Sequence, residues 1–154
     1  MSDHAVVDEE TYSVSRTVHV RVPREEVWAA ITQPERIAEW FGDSATLPEV
    51  AVGTEGTLHW DADGDFAFVV TAVVDDFLFE FRWAKEPETP VREDTATTVR
   101  FTLADSPAGT VLTVVESGFD NVAGDDATRL EHLRGNREGW DLEIDELVTL
   151  LEGP

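Results

Sequence analysis

The chain has 154 residues, a formal net charge of −22, 42% hydrophobic residues, five Trp, eight Phe and no Cys. This length suits one domain that buries about two-thirds of the surface its unfolded chain exposes, and the aromatic content excludes compositional disorder. Disulfides and thiolate chemistry are excluded, no apolar run approaches the ~20 residues of a membrane helix, and no basic block could track a nucleic-acid backbone.

The acidic surface also disfavours an anionic membrane as partner. Ten of the eleven cations are Arg and Lys85 is the single Lys, which fits either a GC-rich genome or a salty cytoplasm in which surface acids stay hydrated. MSDHAVVDEE has neither the basic start nor the apolar stretch of a signal peptide, so a cytoplasmic location is expected.

Residues 1–11 read as a flexible N-terminal tail, and SVSRTVHVRV after them as a strand. PREEVWAAITQPERIAEWFG (23–42) then starts a helix twice. Each Pro suits a first helical position, where its missing N–H has no partner to lose. Glu25, Glu26 and Glu35 sit where the positive helix ends favour anions. The spacing predicts short helices over 24–32 and 35–41, broken because Gln33 precedes Pro34, with Gly42 ending the second.

Five β-branched and aromatic runs follow, at 56–60, 65–74, 77–83, 95–103 and 109–117, separated by turn residues. With the first strand they predict an antiparallel meander of about six strands. Phe66, Phe68 and Val70 share one face, as do Phe77, Phe79, Phe81 and Trp83, while Glu80, Arg82 and Arg100 share the other. From about 125 to 151 the period becomes helical. Leu130, Leu133, Arg137, Trp140, Ile144, Leu147 and Leu151 form one stripe, started by Asp125, Asp126, or Thr128 with Glu131 as a capping box. A stripe that long needs a large partner, and the aromatic sheet face is the available one. Gly135 and Gly139 each weaken the helix by about 1 kcal/mol relative to Ala, so they admit a close neighbour or border a void.

DADGDF (61–66) places Asp61, Asp63 and Asp65 at alternate positions, but a calcium loop would need Gly where Phe66 stands and Glu where Ala72 stands. It reads as a hairpin turn. His4, His19, His59 and His132 have no metal spacing. No nucleophile elbow or phosphate loop is present. The expectation is therefore no metal, no cofactor and no catalytic set. The aromatic residues Trp40, Phe41, Trp60, Phe66, Phe68, Phe79, Phe81, Phe101 and Trp140 either fill a core or line a pocket. Arg137, in the inner stripe, must snorkel outward, pair with an inward acid such as Glu116, or face a polar ligand group. Glu116, Glu80 and His59 are further polar candidates near the mouth.

Three stretches carry a resemblance. PREEVWAAITQPERIAEWF, TVLTVVESGF (110–119) and GNREGWDLEIDELVTLLE (135–152) resemble, in that order, the opening helices, last strand and closing helix of the bacterial proteins related to the activator of Hsp90 ATPase. These belong to the START-like, or Bet v 1-like (SRPBCC), superfamily. The resemblance implies an α+β helix-grip domain over 12–152, in which a curved antiparallel sheet holds two short helices and one long C-terminal helix. It further implies an apolar small molecule as partner, held between sheet and long helix by the nine aromatics above and Arg137. A cochaperone-like module with a protein partner, or an enzyme of the cyclase or dehydratase type, is the alternative it leaves open.

Overall fold

The computed structural model describes residues 4–153. Its strands are β1 (Val6–Asp8), β2 (Ser13–Val20), β3 (Ser44–Thr46), β4 (Glu55–Trp60), β5 (Gly64–Val74), β6 (Leu78–Ala84), β7 (Ala96–Ser106) and β8 (Gly109–Ser117). Its helices are α1 (Arg24–Thr32), α2 (Pro34–Ile37) and α3 (Asp126–Glu152). All strands join one antiparallel sheet in the order β1-β2-β8-β7-β6-β5-β4-β3.

Six strands are those expected from the alternating runs, and β1 and β3 are additions. Three residues each are too few to show a period of two. The addition of β1 corrects the reading of 1–11 as a loose tail. Val6–Asp8 pairs with Ser13–Ser15, and Ala5 is buried, its N–H donating to Asp141 Oδ1 (2.6 Å) and its carbonyl accepting from Arg137 Nε (2.9 Å). Residues 1–3 lie outside the described residues.

Both Pro residues mark helix starts, with Pro34 at the first position of α2 and Pro23 one residue earlier than expected, as the extended N-cap of α1. Gln33 is extended (ψ 124°), as a residue before Pro should be. The second helix is shorter than 35–41. After Ile37 the chain continues in tight turns, with Phe41 N–H donating to the Ile37 carbonyl (2.7 Å), and reverses at Gly42, whose φ of +87° is open to Gly but strained for other residues. This turn drops Trp40 and Phe41 onto the sheet.

The inward face of the sheet carries Val14, Val18 and Val20 of β2, Leu112 and Val114 of β8, Val99, Phe101 and Leu103 of β7, and Phe79, Phe81 and Trp83 of β6. Phe77 does not join it. It lies in the turn before β6, 47% exposed, beneath the Arg24 guanidinium (4.1 Å to the ring centre). On the outer face the register partners Glu80 and Arg100 form an ion pair at 2.7 Å.

α3 is one unbroken helix, capped by the Asp125 carboxylate, which accepts from Thr128 N–H (2.8 Å). Its buried stripe is Leu133, Trp140, Ile144 and Leu147. Arg16, at an inward position of β2 and 4% exposed, anchors the helix to the β1–β2 side by donating to the Asp141 carbonyl (2.8 Å) and Asp145 Oδ1 (2.6 Å). The helix thus lies toward one edge of the sheet, and Phe41 with its neighbours covers the other half.

Candidate functional site

The centre of the domain is filled. Trp40, Phe68, Phe79, Phe81 and Phe101 enclose only about 10 Å³ of free space together with Ile31, Ile37, Phe41 and Leu58. That is at most one water. Trp40 meets Phe101 edge-on (6.2 Å between ring centres), Phe68 meets Phe81 at 5.3 Å, and Trp40 Nε1 donates to the Ala30 carbonyl (2.8 Å). These five residues were expected to line a pocket, and instead they pack against one another as core.

The open space lies beside this core. A cleft of about 160 Å³ is walled by Phe41, Trp60, Trp83 and Trp140, and on the α3 side by Gly135, Asn136, Gly139 and Glu143. Phe41 stacks on Trp140 (5.4 Å, 16°) and meets Trp60 edge-on (5.3 Å), while Trp60 and Trp83 lie 6.0 Å apart. Phe66 supports this wall through its contacts with the Trp60 and Trp83 rings at 5.5 and 6.1 Å.

The helix therefore meets the cleft with one flank of its stripe, at the i, i+3, i+7 positions 136, 139 and 143. Arg137 lies on the opposite flank. It is exposed and donates to the Ala5 carbonyl, which is the outward one of its three alternatives, and it reaches neither Glu116 nor the cleft. Position 136 carries the group that does both.

A Cβ built at Gly135 or Gly139 would meet nothing within 4 Å, so the glycines leave space rather than admit a close neighbour. Ala at either position should raise stability by up to about 1 kcal/mol, because helical Gly loses more backbone entropy on folding. Urea denaturation of G135A and G139A checks this; a fall in midpoint for both would contradict the open-space geometry.

Beneath the cleft is a wholly buried carboxylate, Glu116 of β8. Its Oε1 accepts from Asn136 Nδ2 (2.7 Å) and Trp140 Nε1 (2.8 Å), and its Oε2 from Trp83 Nε1 (2.8 Å), Lys85 Nζ (3.0 Å) and Thr97 Oγ1. Burial alone would push its pKa up, but the Lys85 ammonium and the hydrogen bonds from Thr97, Asn136 and Trp83 outweigh it and hold the carboxyl below its usual range. Two of the three indoles that wall the cleft, Trp83 and Trp140, are thereby fixed by one anion. Lys85 had a legible signal: it continues the inward Phe79, Phe81, Trp83 alternation by one more step. Its Nζ also lies 4.4 Å from the Trp83 ring centre.

Glu143 is the second acid at the cleft and has no such partners. Its Oε2 is buried without a hydrogen bond. Burial, and secondarily the Glu146 carboxylate, pushes its pKa up to about 7. Elsewhere, His59 holds Asp65 (2.5 Å) through Nδ1 and Asp61 (2.9 Å) through Nε2, bracing the hairpin turn that DADGDF forms. These hydrogen bonds, Asp65 first and then Asp61, raise the His59 pKa. That stabilisation is complete below the unfolded value and disappears as pH rises through the folded one. An NMR titration should place the ring above 6.5, the ordinary value, and D65N should bring it back down. Among the described residues no three His, Asp or Glu side chains converge as a metal site would require, and no helix is long and apolar enough to cross a membrane.

A large curved antiparallel sheet, short helices at one end and a long C-terminal helix against its inner face define a helix-grip domain of the SRPBCC class, here with an aromatic cleft between sheet and helix. Residues 21–152 match the family described as Activator of Hsp90 ATPase homolog 1-like protein, and the chain belongs to that family. Among solved structures it is similar to protein MLL2253 from Mesorhizobium loti, with 26% identity, a TM-score of 0.74, and 90% of this chain and 96% of that chain covered. DynU16, from the dynemicin biosynthetic locus, is also 26% identical with a TM-score of 0.72, over 92% of this chain and 47% of DynU16. The Aha1 dimer from Colwellia psychrerythraea shares the fold alone, at 16% identity and a TM-score of 0.73 over 92% of this chain and 96% of that one. No curated protein matches the chain.

Proposed function

We propose that this protein binds a small apolar or aromatic molecule in the cleft between α3 and the β4–β6 side of the sheet. One observation carries the reading: four large rings surround about 160 Å³ that the chain leaves unfilled, beside two helical glycines whose missing side chains would occupy it. An engineered apolar cavity of about 150 Å³ is enough to hold benzene. The space therefore accepts one ring or a compact branched group, and a larger ligand would extend past Gly135 into solvent. Helix-grip architecture is compatible with this role, and the likeness to a protein of a biosynthetic locus adds support of a general kind.

Tryptophan emission tests the reading, because Trp60, Trp83 and Trp140 border the cleft while Trp28 and Trp40 do not. Titration with indole, naphthol and short acyl compounds should give saturable quenching or a shift. A ligand at a hundredfold excess over its Kd should raise stability by about 2.7 kcal/mol. Gly139→Leu should fill the space and remove the response without unfolding the protein. A broad panel with no saturable binder would favour instead the module that acts through a protein partner.

A further inference from the structure

The cleft's chemistry is more particular than an apolar slot. A purely hydrophobic ligand would leave Glu143 Oε2 buried and unpaired, and a buried polar atom without a partner is costly to keep. An occupant that brings a positive or hydrogen-donating group to that oxygen would supply the partner it lacks. The rings around it decide between these. Indole faces attract cations through their quadrupole, Trp most strongly of the aromatic side chains, and three indoles and a phenyl ring border the same space. We propose that the cleft takes an organic cation, a compact substituted ammonium on a small apolar body, seated against Trp60, Trp140 and Phe41 with the Glu143 carboxylate as its counter-ion.

The other charged groups around the cleft allow this. On α3, Glu146 adds negative charge on the Glu143 side. From the sheet, Lys85 lies 4.4 Å from the Trp83 ring centre, and it is already paired with Glu116 at 3.0 Å, so its charge is locally cancelled. On β4, His59 is held by Asp61 and Asp65, and on the turn after α2 Asp43 accepts from Asp61 N–H. No cation of the chain is bonded to Glu143 among the described residues. The overall charge of −22 also raises the local concentration of cationic ligands.

The inference rests on the small-molecule reading above, and the test separates the two. Choline and its neutral carbon isostere 3,3-dimethylbutan-1-ol have nearly the same shape and differ in charge. At pH 8 and 150 mM salt, calorimetry and Trp emission should show choline binding at least tenfold more tightly than the alcohol. Lowering the pH to 5.5 protonates Glu143, whose pKa is about 7, and should erase most of that preference. E143Q should erase it at pH 8 as well, bringing choline down to the level of the alcohol, and its urea midpoint at pH 8 should be no lower than that of wild type, because the ionised carboxylate it removes is disfavoured by burial. Because this substitution removes one charge of a net 22, its effect distinguishes the site from general attraction to an acidic surface. If the alcohol binds as tightly as choline, or if E143Q leaves the preference intact, the cation inference falls and the small-molecule reading stands. If neither these two compounds nor the aromatic panel binds, both fall.

Discussion

Glu116→Ala should lower the free energy of unfolding by roughly 3–5 kcal/mol, the range for breaking a buried ion pair by removing one partner. The substitution leaves the Lys85 ammonium, only 6% exposed, without its counter-charge, and it removes the acceptor of the Trp83 and Trp140 indoles, Thr97 and Asn136 at the same time. Each stranded donor carries its own desolvation penalty. Because the folded pKa of Glu116 lies below its ordinary 4.5, the carboxylate's contribution is present above that value and is lost as pH falls through the folded one. The difference between wild type and E116A should accordingly be largest near neutrality and shrink in acid. Urea denaturation at pH 7 and at pH 3.5 reads it out; a loss below 1 kcal/mol at pH 7 would mean that the network is not tight. E116Q, which keeps the volume but offers one acceptor oxygen in place of two, should fall between them. In both variants the emission of the cleft indoles should change.

Phe41→Ala is expected to cost about 3–5 kcal/mol, as truncation of a fully packed Phe does. Phe41 is 5% exposed and sits in ring contact with Trp40, Trp60, Trp83 and Trp140. It also borders both the filled centre and the open cleft, so it is the partition between them. Truncation should join the cleft to the new void, and the variant should accept ligands one ring larger than wild type does. Added indole should restore part of the lost stability in F41A by binding only the folded state. A loss under 1.5 kcal/mol, or no rescue by any aromatic compound, would show that the surrounding rings collapse into the gap.

Much of the architecture was legible in the residue order. Alternation located six strands because each is long enough to show its period, the residue before Pro34 broke the first helix pair, Gly42 supplied the left-handed reversal, and Asp125 capped a helix whose 3-and-4 spacing ran to its end. These are local effects, set by backbone sterics and by the contrast between apolar and polar neighbours. Two inward charges were equally legible by the same parity, Arg16 among Val14, Val18 and Val20, and Lys85 after Trp83. The alternation marks them even though their chemistry disguises them as surface residues.

The site itself was decided by tertiary structure. In β8 both faces are apolar, with Val111 and Val115 on one and Leu112 and Val114 on the other, so no pattern could say that Glu116 points inward. On α3, Asn136 and Arg137 are one residue and about 100° apart. Periodicity places them near the same stripe, and only the anchoring of the helix to β1 and β2 through Arg16 and Ala5 turns Asn136 to the cleft and Arg137 away from it. Of the nine aromatics, Trp40, Phe68, Phe79, Phe81 and Phe101 became core, Phe41, Trp60 and Trp140 became wall, and Phe66 became support for that wall. Residue type is the same on both sides of that division. A side chain's hydrophobicity determines that it leaves water, whereas which void remains depends on where segments far apart in sequence come to rest against one another.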